Sequence, residues 1–387
     1  MTAPVEDLHA RLRRAGVLII DNRLDALTIN VKARLTTMTD DSDVTIVVVP
    51  REQFSKAQIS LESIYAATPQ PFRLVYVDGN SPRSLRRYFE QQASALGFKL
   101  IRTENYLTSN EARNIGLGEI RTKYVAFIDN DVFVQPGWLA ALLRCAEETD
   151  AWVVGPLYCY GTDGLDGKPH TVHVAGADLR FVDDDRTRRL KEKGRHVNRP
   201  VAEVRCALRR EPIDLVEFHC MLVRTDTFDR LGPLDEKLLS FCDHVDFCLA
   251  VRQAGGSVYF EPDAVVTHLA PPPFAPMDLP YFLLRWSNAW LCPSVRHFAY
   301  KHDVRESDLD GHFSFRDQHR RRLIVRMRQR IGRFLGNRGI RVANLTDRIV
   351  FDVLIEHTIV RRMQRMRALN GSAKTQARTW VAGARVH

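Results

Sequence analysis

Among its seven cysteines the 387-residue chain has no Cys-x-x-Cys pair. That argues against a disulfide framework or a structural zinc site, and fits a reducing, cytoplasmic setting. No apolar run approaches the roughly 18 residues that a membrane span needs. The opening stretch MTAPVEDLHARLRRAG carries early acids and no apolar core, so no secretory signal is expected. There is no internal repeat, no low-complexity segment and no recognised nucleic-acid motif. No glycine-rich loop follows the first strand-like run to cradle a triphosphate, which disfavours a nucleotidyltransferase.

What is present is a globular composition, 45% hydrophobic and 27% charged. The net charge of +9 is unevenly spread, with 17 Lys and Arg against 4 Asp and Glu between Arg316 and Arg378. A mildly acidic body therefore carries a basic tail, and the basicity says little about the body's chemistry.

Along the body, strand and helix signals alternate. After a lead-in (1–42) with a helix expected near Glu6–Ala15, VTIVVVP (44–50) reads as a strand buried on both faces. A helix is expected at 55–67, a strand in PFRLVYVDGNSP (71–82), a helix at 83–96 and a strand at 98–103. A helix at 111–120 and the strand YVAFIDND follow. This rhythm predicts an α/β protein with a parallel sheet. The charged stretch DDDRTRRLKEKGR (183–195) reads as a solvated loop or insertion.

Ligands of such sheets sit beyond the carboxyl ends of the strands, where Asp78 and Asp129 are expected. In Asp129-Asn130-Asp131, residues i and i+2 at a strand end share a side, so both carboxylates can point at one place. Two hard oxygen ligands suit Mg²⁺ or Mn²⁺ held with phosphate oxygens. The plainer alternative is a solvated strand-to-loop junction.

VTIVVVP, LVYVDGNSP, NEARNIGLGEIRTKYVAFIDNDV and GPLDEKLLSFCDHVDFCLAVRQAGGSVYFEPDAVVTH resemble, in order, the blocks of glycosyltransferase family 2, over roughly residues 43–270. The resemblance implies a glycosyltransferase A-type, Rossmann-like fold. It implies a mixed, mainly parallel sheet flanked by helices, with a donor half (43–150), an acceptor half (151–275) and a helical basic extension (276–387). It also implies a nucleotide-sugar donor, usually UDP-linked, a divalent metal and inversion at the anomeric carbon.

Carried over by position, Asp78 would grip the base. Pro50, Arg51 and Glu52 form the turn after the first strand, a departure from the family's usual Pro-x-Tyr-Asn-like turn; Arg51 would touch the nucleotide and Glu52 the base or ribose. Arg113 and Asn114 would line the nucleotide pocket. Asp129, with Asn130 beside it, would bond ribose or donor sugar and share the metal with Asp131, and His268 would be a further metal ligand. His219 would contact sugar or phosphate, or else be a satisfied core histidine. The general base falls on His244 or on Asp243 before it, where the family places an acid pair; Asp246 reads as a supporting or capping residue. Trp138 is expected in the core, and His170 and His173 in a loop.

In the tail, Leu323, Ile324, Met327, Ile331 and Phe334 form an apolar stripe among arginines, and 347–369 repeats the pattern. Such helices either pack on the body or lie on an anionic membrane surface, which would suit a lipid-linked acceptor at the inner face of a membrane. The reading is thus a metal-dependent inverting glycosyltransferase acting on a sugar, glycan or lipid-linked hydroxyl. A non-catalytic sugar- or nucleotide-binding relative and, less favoured, a basic nucleic-acid-binding protein are the alternatives.

Overall fold

The computed structural model describes residues 42–161, 171–184, 187–269, 275–323, 348–370, 378–381 and 384–386. The lead-in helix expected near Glu6–Ala15, His170 and the tail residues Ile324, Met327, Ile331 and Phe334 lie outside them.

The first half alternates as its periodicity predicts: β1 (Val44–Val49), α1 (Ala57–Ala67), β2 (Arg73–Gly79), α2 (Arg83–Leu96), β3 (Lys99–Thr103), α3 (Ser109–Leu117) and β4 (Tyr124–Asp129). β1 pairs in parallel with β2 and β4, and β2 with β3. All of β1 is buried because its side chains serve two cores: Val47 and Val49 pack below the sheet, Val44, Ile46 and Val48 above it. α3 approaches β1 closely at Gly116, where a Cβ would lie 2.3 Å from a Val47 methyl.

The chain continues through β5 (Val132–Val134), α4 (Trp138–Thr149), β6 (Val153–Tyr160), β7 (Thr171–Val174), the hairpin β8–β9 (Ala177–Asp184, Thr187–Gly194), α5 (Val201–Val204), β10 (Glu211–Pro212), β11 (Cys220–Arg224), α6 (Asp226–Leu231), α7 (Asp243–Gln253) and β12 (Val258–His268). It then runs through α8 (Leu279–Arg285), α9 (Asn288–His302), α10 (Asp310–Leu323), a π-helix (Arg348–Val360), α11 (Arg361–Asn370), β13 (Arg378–Val381) and β14 (Ala384–Val386). Among the described residues twelve strands form one mixed sheet, in order β10-β12-β6-β11-β4-β1-β2-β3-β13-β14, with β5 on β12 and β7 on β6. β11 runs antiparallel between β4 and β6, while β6 and β12 are parallel.

Two local expectations change. The charged stretch 183–195 is no loop: it supplies most of β9, paired with β8 from Ala177↔Gly194 to Asp184↔Thr187. Leu179 is buried, Phe181 two residues on packs against the same core, and Arg188 covers the Phe181 ring at 3.8 Å. Apolar residues at alternate positions of β8 thus outweigh the charge of β9. The segment after 275 also begins as part of the body: Tyr281, Phe282, Leu291, Val295 and Phe298 are fully buried. It ends in strands, β13 pairing antiparallel with β3. Trp138 is buried in the core, its Nε1 donating to Thr68 at 2.9 Å. All seven cysteines are unpaired.

Candidate active site

Three chain segments meet beyond the carboxyl end of the sheet: the turn after β1, the turn after β4, and the end of β12. Backbone bonds lock them together. Asn130 N donates to Val49 O at 2.9 Å, Leu269 N to Asp131 O at 2.9 Å, and Asp129 N to His219 O at 3.0 Å. The Asn130 side chain accepts from Arg51 N at 2.9 Å, and Pro50 O accepts from Tyr281 Oη at 3.2 Å. The turn 129–131 is therefore no solvated junction; its three side chains are buried.

The two aspartates point to different partners. Asp129, expected to share a metal with Asp131, is enclosed by two guanidinium groups and an imidazole: Arg113 at 3.3 Å, Arg51 at 3.4 Å and the His219 Nδ1 at 2.9 Å. Burial alone would push its carboxyl up; Arg51, the His219 hydrogen bond and Arg113 outweigh it and hold it at about 2. Asp131 is fully buried, yet neither of its oxygens has a hydrogen-bond partner. His268 Nε2 lies 3.6 Å from Asp131 Oδ2, and both His268 nitrogens are also without partners. Glu52 completes the group, one ligand atom from each of Glu52, Asp131 and His268 lying within 4.8 Å of the others. Burial lowers the His268 pKa, but the Asp131 charge outweighs it and leaves the value above normal.

A buried carboxylate without a donor is costly. Two carboxylates and an imidazole are a donor set for a divalent ion such as Mn²⁺. These residues therefore fit a metal, with Glu52 in the place the sequence reading gave to Asp129. Glu52 is held by Trp286 Nε1 at 2.7 Å and faces Arg285 at 3.9 Å, rather than lying exposed for a base.

The site opens into a cavity of about 1390 Å³. Its lining includes Arg51, Glu52, His219, His244, His268 and Arg285, with further wall from β9 and α10. α7 delivers the Asp-His pair: Cys242 takes a left-handed φ of +63°, an uncommon conformation for its type, and Asp243 and His244 follow at once. Asp243 Oδ2 accepts from Arg113 at 2.8 Å, while Asp243 Oδ1 faces His244 Nδ1 at 3.4 Å. Against burial, the His244 bond and Arg113 hold Asp243 well below the usual carboxylate range. His244 is shifted the other way: burial lowers it, but the bond to Asp243 and that residue's charge raise it above its ordinary value.

Arg113, Asn114 and Asp78 do not line the cavity. A capping box at Thr108 and Glu111 starts α3 and fixes its phase. That turns Arg113 inward, fully buried over the Phe218 ring at 4.0 Å and bonded to Asp129 and Asp243. Asn114 bonds the 234–236 loop, donating to Leu234 O at 2.8 Å and accepting from Leu234 N at 2.9 Å. Asp78 accepts from Ser81 N at 2.9 Å, Ser81 Oγ at 2.8 Å and Arg102. Asp246 accepts from Lys301 and from His302 at 2.7 Å.

His219 is buried between Asp129 and Glu217, its ring stacked on His268 at 4.4 Å between centroids. His173, expected in a loop, is on β7 and points its Nε2 at Glu217, 2.9 Å away. The sequence reading missed Glu217. Its signal was the spacing Glu217-Phe218-His219, the same i, i+2 pattern noticed at Asp129 and Asp131.

Residues 45–215 match the family model Glycosyl transferase family 2. No curated protein matches the chain in sequence. Among solved structures, GalNAc-T7 with UDP, GalNAc and Mn²⁺ is 17% identical, with a TM-score of 0.45 over 73% of this chain and 55% of that one. S. aureus TarS 1–349 in complex with UDP-GlcNAc is 14% identical, with a TM-score of 0.45 over 72% of this chain and 70% of that one. The chain thus spans about half the length of the first of these relatives.

Proposed function

We propose that the protein transfers a sugar from a nucleotide diphosphate donor, a UDP-sugar by preference, to a hydroxyl of a sugar, glycan or lipid-linked acceptor, with inversion at the anomeric carbon. One observation carries the reading: the fully buried Asp131 carboxylate, without a hydrogen-bond partner, beside His268 and Glu52, which line a cavity of about 1390 Å³. Glu52, Asp131 and His268 would hold Mn²⁺ or Mg²⁺, which when bound offsets charge on the departing diphosphate.

The chain's own groups supply the rest. Arg51 and Arg285 line the cavity, and the buried Arg285 Nε has no hydrogen-bond partner; both guanidinium groups suit a diphosphate. His244 is the general base. Asp243, fixed from behind by Arg113, orients its Nδ1, so that Nε2 takes the proton of the acceptor hydroxyl as that oxygen attacks the anomeric carbon. Asp129 positions Arg51, Arg113 and His219. Asp78 secures the turn after β2 and reaches a base only by yielding its bond with Arg102.

We also propose contact with an anionic membrane face. On the π-helix, Ile349, Val353, Leu354 and Ile359 are exposed, and Arg361, Arg362 and Arg365 follow on α11, also exposed. Apolar side chains flanked by arginine are the composition of a surface-lying segment. No helix among the described residues is long and apolar enough to cross a membrane.

Calorimetric titration of UDP into the purified chain tests the donor site. Binding in Mn²⁺ that is lost in EDTA, and lost again in Asp131→Asn, is the expected result. Binding of equal strength in both conditions would overturn the metal assignment.

A further inference from the structure

Next to the Glu52–Asp131–His268 group lies a second cluster that the proposed transfer does not use. His173 Nε2 and His219 Nε2 both face Glu217 Oε2, at 2.9 and 3.2 Å, and the three ligand atoms lie within 4.8 Å of one another. We propose that His173, Glu217 and His219 form a second metal site, selective for an ion of the Zn²⁺ class.

The hydrogen bond to Asp129 comes first. At 2.9 Å from an Asp129 oxygen, His219 Nδ1 is the donor and the carboxylate the acceptor. That leaves Nε2 as the ring atom turned toward Glu217 Oε2, 3.2 Å away.

Geometry comes second. Metal bonds of about 2.0–2.2 Å place neighbouring ligand atoms roughly 3 Å apart, as the Glu217 oxygen is from each histidine. Asp129 behind His219 is the carboxylate–histidine arrangement that fixes a ligating tautomer. Two imidazoles and one carboxylate favour Zn²⁺ over Mg²⁺, and leave one position for an oxygen ligand. All three residues line the cavity, so that position faces whatever binds there.

The site is independent of the donor-metal reading, and its test separates the two. The full chain is stripped with EDTA and dialysed against Zn²⁺; bound metal is counted by mass spectrometry, and the visible spectrum of the Co²⁺ form is recorded. Asp131→Asn should keep a bound Zn²⁺ that His173→Ala and Glu217→Gln each weaken by at least 10-fold. Circular dichroism and urea unfolding check both variants, and either one that folds decides the matter. Zn²⁺ binding unchanged in His173→Ala and Glu217→Gln would overturn the site, as would Zn²⁺ lost only in Asp131→Asn.

Discussion

Arg113 offers the most searching test of the charge network. It is wholly buried, bonded to Asp129 at 3.3 Å and to Asp243 at 2.8 Å. Arg113→Met keeps most of the volume and removes only the charge and its donors. Breaking a buried ion pair from one side costs about 3–5 kcal/mol, because the remaining charge is stranded. Two carboxylates lose a partner here, but Asp129 retains Arg51 and His219, and Asp243 retains His244, so the loss should stay within that range. Its pH dependence follows from the depressed carboxyls. Asp129 is held at about 2 and Asp243 well below normal. Such groups contribute stability that is complete above their unfolded value near 4 and is lost as pH falls through the folded value. Urea unfolding should thus find the full deficit of Arg113→Met at pH 7 and a shrinking one from about pH 4 toward pH 2. A deficit under about 1 kcal/mol at pH 7, or one that stays undiminished at low pH, would refute the reasoning.

Asp131→Asn should abolish metal-dependent UDP binding yet raise urea stability in EDTA by roughly 1 kcal/mol or more, since it removes an unpartnered buried charge; a destabilised variant would contradict the picture of a carboxylate awaiting a cation. His244 must be neutral to accept a proton, and its raised pKa predicts transfer that climbs with pH through an apparent value above the ordinary 6.5. Asp243→Asn removes the raising carboxylate and should move that limb to lower pH while slowing transfer; an unmoved limb would leave His244 without the role. Gly116→Ala gains about 1 kcal/mol in helix propensity but forces α3 against Val47 2.3 Å away, so overpacking of about 1–3 kcal/mol should leave a net loss in urea unfolding.

The strand–helix rhythm of the first half was legible because both its signals are local: β-branched runs for strands buried on two faces, and helical spacing between them. The site was legible in its members more than in its contacts. Asp131, His268, Asp243 and His244 stand where strand ends and a helix start deliver them. Asp129 looked like the twin of Asp131, because i and i+2 share a side in a regular strand. The strand in fact stops at Asp129, and the turn sends the two carboxylates to different neighbours. Glu52 and Glu217 gain their meaning from partners more than 40 residues distant: Asp131 and His268 for one, His173 for the other. No local pattern encodes such a meeting. The charged strand β9 was misread for a related reason, since its partner strand, not its own composition, decides its state.

The same long-range assembly explains why so many charges are buried together. Asp129, Arg113 and Asp243 are all but excluded from water, yet each is paired, so the set costs less than its members would singly. The pairing is directional: Arg113 spans from the turn after β4 to the start of α7, and so fixes the spacing between the segment that carries Asp131 and the helix that carries His244. The inverting transfer proposed above would need that spacing held, because the proposed base, His244, would have to meet the acceptor hydroxyl on the face opposite the departing diphosphate. Hydrophobic packing could join β4 and α7 with equal stability, but it tolerates small shifts in register that a guanidinium bonded at both ends does not. Asp131 and His268 are the exceptions, buried without hydrogen-bond partners, and they stand where a cation would complete the network.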